Sequence, residues 1–301
     1  MYMNTTIQKL VLPFLAIVSC EPLARADVTA YNIFKTAVFQ QTNATPPVWV
    51  NSPDAYFFGA QLFSSETGEY VTNATVTAPD SAVYPMPGNP APTYFNYGSD
   101  YYPDETSMDA AFPGGPYTFY VNDQTDSGGL NYPVEELYPT VIPCFTGDTW
   151  CRLQAVDPAR PLNIYWNNFI PDSGAQSAYV FLNIYNPSGN NVFGTNFLPF
   201  EQTNAAVPAY TLNAGTTYQL QIKFSDRVVV NSGFSSSAAG TAGFDYETFT
   251  SLITVAPLLC IAPGTNAAVL SWSVAASNFA LESPVVFPPL RCGVRSQTLR
   301  R

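Results

Sequence analysis

The sequence contains one short pattern twice, about a hundred residues apart: Phe112-Pro113-Gly114-Gly115-Pro116-Tyr117-Thr118-Phe119-Tyr120-Val121 and Leu212-Asn213-Ala214-Gly215-Thr216-Thr217-Tyr218-Gln219-Leu220-Gln221-Ile222. Each copy reads as a glycine-containing turn, a tyrosine and an alternating strand. A second echo relates Leu162-Asn163-Ile164-Tyr165-Trp166 to Val269-Leu270-Ser271-Trp272. Repetition at domain length predicts a string of similar small modules rather than one large catalytic fold.

The composition favours β-structure along the whole chain. Aromatic residues make up 15% of the 301 residues and charged residues only 11%, while 27 Pro and 18 Gly disfavour long helices. We therefore predict an all-β protein built from two tandem antiparallel β-sandwich modules. The predicted boundaries are residues 27–140 for an acidic, Tyr-rich module and 141–257 for a second module. Residues 258–301 would form a truncated third module with a basic tail, because three strands at most cannot close a sandwich core.

The negative charge of the chain is concentrated in the predicted first module. The formal net charge is −11, and residues 27–143 hold thirteen acids against one base, Lys35. An acidic module repels the phosphates of nucleic acids, so we expect no nucleic-acid partner. Divalent cations or cationic surfaces would be compatible partners, although the acids also serve to keep an aromatic-rich module soluble.

The N-terminus has the pattern of an export signal. Lys9 precedes an apolar run, Leu10–Val18, that is too short for a membrane span, and Ala24-Arg25-Ala26 supplies a small-x-small cleavage site. The pattern predicts a signal peptide over residues 1–26, cleaved after Ala26, and a secreted or cell-surface protein. The alternative is a lipobox ending at Cys20, which would leave a lipoprotein. No later segment is apolar enough to predict a membrane span.

Export implies an oxidising compartment, in which cysteines pair. Cys144 and Cys151 flank a turn-like Phe-Thr-Gly-Asp-Thr-Trp segment, which predicts a local disulfide; the alternative is two unpaired thiols. The chain has no His and no C-x-x-C pair, so a zinc site is disfavoured.

Two groups of residues resemble known families. Leu162…Trp166 together with Leu212-x-x-Gly215-Thr216-x-Tyr218 resembles fibronectin type III-like or immunoglobulin-like sandwiches. The resemblance implies that Trp166 lies in the core and that Tyr218 forms a tyrosine corner, its hydroxyl bonding to the backbone just upstream. Ala214 stands where the family usually has Pro. The run 267–272, followed by 279–282, resembles the repeat modules of large exported bacterial proteins, especially those of Verrucomicrobia-like bacteria.

Catalytic chemistry has few candidates in this sequence. The absence of His removes Ser-His-Asp and Cys-His nucleophile systems. A glycoside hydrolase needs only two carboxylates, which Asp104-Glu105 and Glu135-Glu136 could supply. Adjacent residues in a strand face opposite sides, however, so neither pair predicts a shared site. We predict no catalytic residue.

An acidic, glycine-containing segment is the candidate for ion binding. Asp123-Gln124-Thr125-Asp126-Ser127-Gly128-Gly129 has the oxygen ligands of a calcium loop but lacks the closing Glu of an EF-hand. The alternative is a plain acidic turn. No other cofactor is predicted.

A long segment over residues 84–102 carries the densest group of aromatic residues and is predicted to be a loop. Four of its tyrosines, with two nearby acids, are the candidate ligand site: Tyr94, Tyr97, Tyr101 and Tyr102. Exposed tyrosine faces stack on sugar rings, whereas the alternative is that they pack the loop onto the sandwich.

The sequence thus predicts a non-enzymatic scaffold or adhesion module whose partner is a protein or glycan at the cell surface. Carbohydrate binding through the tyrosine-rich loop is the alternative, and a two-carboxylate hydrolase is the third hypothesis.

Overall fold

The computed structural model describes residues 28–49, 55–65, 71–88, 93–124, 126–232, 234, 238–255, 259–263 and 268–272. Strands dominate these residues, and the prediction of an all-β protein is confirmed. In the first half, the described residues form eight strands and one short helix: β1 Val28–Gln40, β2 Val48–Trp49, β3 Tyr56–Ser64, β4 Ala74–Thr77, β5 Val83–Met86, β6 Tyr94–Gly98, α1 Glu105–Ala111, β7 Gly115–Val121 and β8 Asp126–Tyr132.

The second half continues with short strands and then two long ones. Its elements are α2 Gly147–Leu153, β9 Leu162–Tyr165, β10 Ser177–Tyr185, β11 Asn191–Gly194, β12 Leu198–Pro199, β13 Asn204–Val207, β14 Thr217–Ser232, β15 Ala239–Ile253, β16 Leu259–Pro263 and β17 Ala268–Trp272. No helix among the described residues has the length and apolar character needed to cross a membrane.

One nine-stranded sheet runs through both halves of the chain. Its order is β11-β10-β14-β15-β1-β3-β6, with β12 paired to β10 and β2 paired to β1. The pairing is antiparallel except between β1 and β15, which run parallel from Ala30↔Ala239 to Gln40↔Phe249. Because strands from both sides of residue 140 belong to this sheet, the predicted module boundary does not divide it.

The first hydrophobic cluster lies between this sheet and a four-stranded sheet of order β5-β4-β7-β8. Tyr31 and Phe58 from the large sheet meet Phe119 and Leu130 from the small one, and all four side chains are buried. Two tyrosine hydroxyls join the layers: Tyr31 donates to the Gly129 carbonyl at 2.8 Å. Tyr132 likewise donates to the Gly243 carbonyl at 2.8 Å.

The second hydrophobic cluster lies on the same face of the large sheet, under β9, β13 and α2. Val180, Leu220 and Ile222 from the large sheet pack with Ile164 and Val207. The α2 helix is tied to β15 by Trp150, whose indole nitrogen donates to the Thr250 hydroxyl at 3.2 Å. The large sheet therefore has a core face, which carries both clusters, and an opposite face.

Two segments that the sequence predicts as turns or loops are strands. The composition of residues 232–243, rich in Ser, Ala and Gly, predicts a loop, but β15 begins at Ala239. The candidate calcium segment is also different, because Asp126–Gly129 begins strand β8. Gly128 is required there for packing: a Cβ at this residue would lie 2.3 Å from the Phe234 ring. Glycine in these strands serves close contact with aromatic rings rather than a turn.

The predicted third module contributes only a hairpin to the described residues. β16 and β17 pair antiparallel in a separate two-stranded sheet, from Leu259↔Trp272 to Pro263↔Ala268. The predicted signal peptide, the alternative lipidation site at Cys20 and the basic tail lie outside the described residues.

Candidate functional site

The four candidate tyrosines do not form one exposed loop, which corrects the expectation from sequence. Tyr94 and Tyr97 belong to strand β6, where residues three apart point to opposite faces. Tyr94 packs against Phe63 and hydrogen-bonds Gln61 at 2.9 Å, on the face away from the core. Tyr97 contacts Phe58 and Phe112 in the first cluster. The alternation of a strand therefore divides this pair between two surfaces.

Tyr101 and Tyr102 are divided in the same way. Tyr102 packs edge-on against Phe112, and its backbone pairs with Tyr56. Tyr101 is 51% exposed and contacts Phe57 edge-on, with the ring centroids 5.3 Å apart. Burial raises the pKa of both Tyr94 and Tyr97, as expected for phenols that pack against neighbours. The segment thus contributes one well-exposed ring rather than a platform of four.

The face of the large sheet opposite the core carries a strip of polar side chains, which the sequence analysis did not identify. We call it the polar strip; it consists of Gln221, Lys223, Ser225 and Arg227 on β14 with Asp245 and Glu247 on β15. Lys223 lies directly opposite Glu247, and Ser225 directly opposite Asp245. Directly opposite residues share a face, so the register alone brings these charges together.

Lys223 is the centre of the polar strip. Its Nζ lies 3.2 Å from Asp245 Oδ2 and 3.5 Å from Glu247 Oε1, between the rings of Phe34 and Phe181. Burial lowers the pKa of Lys223, but the two carboxylates outweigh burial and raise it. Burial also raises the pKa of Glu247, which Lys223 opposes. Charges buried in this way are tolerated because they are paired.

Hydrogen bonds extend the polar strip in both directions. Ser225 donates to Asp245 at 2.6 Å, and Gln221 donates to Glu247 at 3.0 Å. Gln221 in turn accepts from the Asn183 amide and the Tyr185 hydroxyl. These contacts satisfy most of the polar atoms and leave the strip without net charge, which favours a structural role.

Gly243 allows Arg227 to complete the polar strip. The two residues lie opposite each other, and a Cβ on Gly243 would lie 1.3 Å from Arg227 Nη1. The guanidinium therefore lies flat on the backbone, with Nη2 3.4 Å from Asp245. Nη1 is buried and has no hydrogen-bond partner among the residues that the structure describes. A side chain at residue 243 would displace the arginine from Asp245.

A second charged cluster lies on the core face, beside the first hydrophobic cluster. We call it the acid cluster; it consists of Lys35 on β1, Glu105 and Asp109 on α1, and Glu136. Lys35 is 2% exposed and forms ion pairs with Asp109 and, at 3.5 Å, with Glu136. Asp104 caps the helix by accepting from the Ser107 backbone nitrogen at 2.7 Å, which fixes the position of α1.

The acid cluster brings together one member of each acidic pair in the sequence. Burial and a hydrogen bond with Glu105 raise the pKa of Glu136 to about 9, with Asp109 adding to the effect and Lys35 opposing it. With a pKa of about 9, the Glu136 carboxyl is protonated at neutral pH and can hydrogen-bond with Glu105. Glycosidases separate their two carboxyl groups by roughly 5–10 Å to leave room for water or substrate. Two carboxyls in direct contact do not have that geometry.

The predicted disulfide is not formed. Cys144 and Cys151 are both free thiols. Cys144 is half-buried in the segment before α2, and burial raises its pKa. Cys151 lies within α2 and is exposed beside a wide groove of about 790 Å³, lined by Thr146, Asp148, Arg152 and Tyr165. The intervening turn that the sequence suggested is largely helix, which directs the two side chains differently.

The repeated pattern and the family resemblance point to three residues with structural roles, and each of them forms a hydrogen bond within the fold. Trp166 is 2% exposed, and its indole nitrogen donates to the Gln202 carbonyl at 2.9 Å. The Tyr218 hydroxyl accepts from the Asn213 backbone nitrogen at 2.7 Å. In the first copy of the pattern, the Tyr117 hydroxyl donates to the Pro113 carbonyl at 2.9 Å. In both copies of the pattern, the tyrosine hydroxyl therefore hydrogen-bonds to the backbone of the turn that precedes it.

Calcium binding by residues 123–129 receives no support from the side chains that the structure describes. Asp123 accepts from the Asn73 amide at 3.1 Å, and Asp126 accepts from the backbone nitrogen of Ser127. No group of three or more metal-ligating side chains occurs among the described residues.

Comparison with known proteins gives only distant likenesses. No protein-family model matches the chain, and no curated protein matches it. Among solved structures, it is similar to the chicken CNTN1 FN1–FN3 domains at 12% identity, over 82% of this chain and 75% of that chain, with a TM-score of 0.21. It is also similar to the BSP domain of a biofilm-associated protein at 11% identity, over 76% of this chain and 29% of that chain, with a TM-score of 0.20. At these scores neither likeness bears on the function.

Proposed function

We propose that this chain is a non-enzymatic scaffold or adhesion module that works at the cell surface or outside the cell. The observation that carries the proposal is the single large sheet that supports both hydrophobic clusters. Strand β14 has 16 residues, which at about 3.3 Å per residue gives a length of roughly 50 Å. A continuous hydrogen-bonded sheet of this length would keep two surfaces attached at its opposite ends at a constant separation.

Contacts at the end of β1 reinforce this unit. Gln41 is 2% exposed and exchanges two hydrogen bonds with the backbone of Phe145, at 2.9 and 3.0 Å. Thr250 donates to the Gln41 carbonyl at 2.7 Å. The N-terminal strand is thus fixed to the second hydrophobic cluster as well as to the first, which favours a rigid spacer over two jointed modules.

The pairing of buried charged side chains also supports a structural role. In the polar strip, Lys223 and Arg227 balance the two carboxylates on β15. In the acid cluster, Lys35 pairs with Asp109, while Glu105 and Glu136 hydrogen-bond to each other. Location outside the cytoplasm rests on the sequence pattern of residues 1–26. The hydrolase hypothesis is disfavoured by the carboxyl geometry described above.

The proposal is tested by the retention of protein-coated beads on cells of the source organism under flow. Beads coated with the folded protein should resist detachment better than beads that carry an equal amount of heat-unfolded protein. In a parallel assay, the folded protein should release no reducing sugar from a panel of polysaccharides. Equal retention of the two kinds of bead, or release of sugar, would contradict the proposal.

Glycan binding is the second candidate function. The tyrosines of residues 94–102 do not favour it, because they are divided between two surfaces. A groove at one end of the large sheet, lined by Phe249 and side-chain amides, does favour it.

A further inference from the structure

A groove of about 350 Å³ lies at one end of the large sheet, on the face that carries the polar strip. Its floor is formed by the ends of β1, β14 and β15, and one wall is the turn between β10 and β11. The size is within the range of small-molecule binding sites, about 300–1,000 Å³. The groove is separate from the acid cluster and from the tyrosines of β6.

Phe249 provides an aromatic surface in this groove. The parallel and antiparallel registers place it between Gln40 on β1 and Gln221 on β14, with all three side chains on the same face. The Phe249 ring is half-buried and makes no ring contact among the described residues. Phe249 is one of the residues that line the groove, so its partly exposed side chain is accessible to a ligand.

Side-chain amides surround this ring. Gln40 and Gln219 are exposed, and neither amide has a protein hydrogen-bond partner within the described part of the chain. Asn186 uses its oxygen to accept from the backbone nitrogens of Ser188 and Asn190, which leaves its NH2 group available to the groove. An amide offers both donors and acceptors, so the set can match hydroxyl groups in either role.

The groove carries no charge on the described residues that line it. Glu247, the nearest member of the polar strip along β15, is paired with Lys223. An anionic or cationic ligand would find no counter-charge here. A purely apolar ligand would cover the amides and leave them without partners, which is unfavourable.

We propose that this groove binds a neutral saccharide unit. The apolar face of the sugar ring would stack on Phe249, and its hydroxyls would hydrogen-bond with the amides of Gln40, Gln219 and Asn186. The inference goes beyond the scaffold role and does not depend on it, because the site is complete within one chain.

The test is a titration of the ¹⁵N-labelled protein, followed by ¹H–¹⁵N NMR. The probes are maltose, cellobiose and lactose, with glucuronic acid and glucosamine as charged counterparts. At least one neutral sugar should shift the backbone amide signals of Phe249, Gln219 and the turn at Asn186. Phe249→Ala should weaken that binding about tenfold, given the usual contribution of an aromatic contact.

Two further variants make the outcome unambiguous. Phe197→Ala removes a ring that is 66% exposed in the segment between β11 and β12 and does not line the groove, and it should leave binding unchanged. If Phe249→Ala fails to fold, Gln219→Ala removes an exposed amide and should weaken binding several-fold. The proposal is overturned if none of the neutral sugars shifts these signals, if a charged sugar binds more tightly, or if Phe197→Ala weakens binding as much as Phe249→Ala.

Discussion

At the scale of single residues, Tyr117 and Tyr218 each hydrogen-bond to the backbone of the preceding turn, but their donor and acceptor roles are reversed. The Tyr117 hydroxyl is a donor to Pro113, whereas the Tyr218 hydroxyl is an acceptor from Asn213. Both rings are almost fully buried, at 1% and 3% exposure. In each case the hydroxyl satisfies a backbone group that would otherwise lose its hydrogen bond on folding.

We expect Tyr117→Phe and Tyr218→Phe each to lower the free energy of unfolding by about 1 kcal/mol, because only a hydroxyl is lost and its backbone partner stays unpaired. The effects should be additive, since the residues lie in different hydrophobic clusters. Urea denaturation of the single and double variants measures this. Tyr210→Phe is the matched control, because that ring is 63% exposed, and its stability should be unchanged. Equal stability of all the variants would contradict the assignment.

At the scale of elements, the acid cluster joins α1 to β1 and to the segment after β8. The groups that face Glu136 are Glu105 and Asp109 from α1 and Lys35 from β1. Burial raises the pKa values of the nearby Tyr56, Tyr138 and Tyr246, and a charged Glu136 would raise them further. The protonated form of Glu136 is therefore part of the packing of these elements.

This arrangement predicts a pH dependence of stability. The folded protein keeps the Glu136 proton up to about pH 9, whereas the unfolded chain releases it near the ordinary value of 4.5. The folded state binds more protons between these values, so the free energy of unfolding should fall as the pH rises through that range. Glu136→Gln removes the titration and should be more stable than the parent at pH 8, with a weaker pH dependence. Denaturant unfolding at pH 5, 6.5 and 8 measures both.

Glu135→Gln is the control for this prediction, because Glu135 is the exposed neighbour of Glu136. It should keep the pH dependence of the parent protein. If the stability of the parent protein rises between pH 5 and 8, and Glu136→Gln has the same slope, then Glu136 does not hold a proton in the folded state.

At the scale of the whole molecule, the large sheet should make the two hydrophobic clusters unfold together. Phe119→Ala creates a cavity in the first cluster and should cost about 3–5 kcal/mol. Because β15 contributes residues to both clusters and pairs with β14, we expect hydrogen-exchange protection to fall by a similar amount in β10, which packs only in the second. Mass spectrometry of peptides from β7 and β10 measures this. Unchanged protection in β10 would instead support two independent modules with a boundary near residue 140.

The sequence alone was sufficient for the local features of the fold. Each echoed pattern indicated an alternating strand, which is present as β7 and as β14, and the turn before each echoed tyrosine was correctly located. These features follow from backbone preference and side-chain period, which act over a few residues. The same signals did not indicate β8 or the start of β15. Glycines in these strands leave room for aromatic rings, and those rings come from residues that are distant in the sequence.

Only the tertiary structure decided which distant residues meet. The parallel pairing of β1 with β15 joins residues more than two hundred positions apart, and it creates the groove at Phe249 by placing Gln40 beside that ring. The contact between Glu105 and Glu136 also depends on the position of α1 relative to the segment after β8. Periodicity determines which residues share a face of a strand, but the choice of neighbouring strand depends on burial summed over the whole chain. The sequence therefore determined the elements, and the assembled sheet determined the sites.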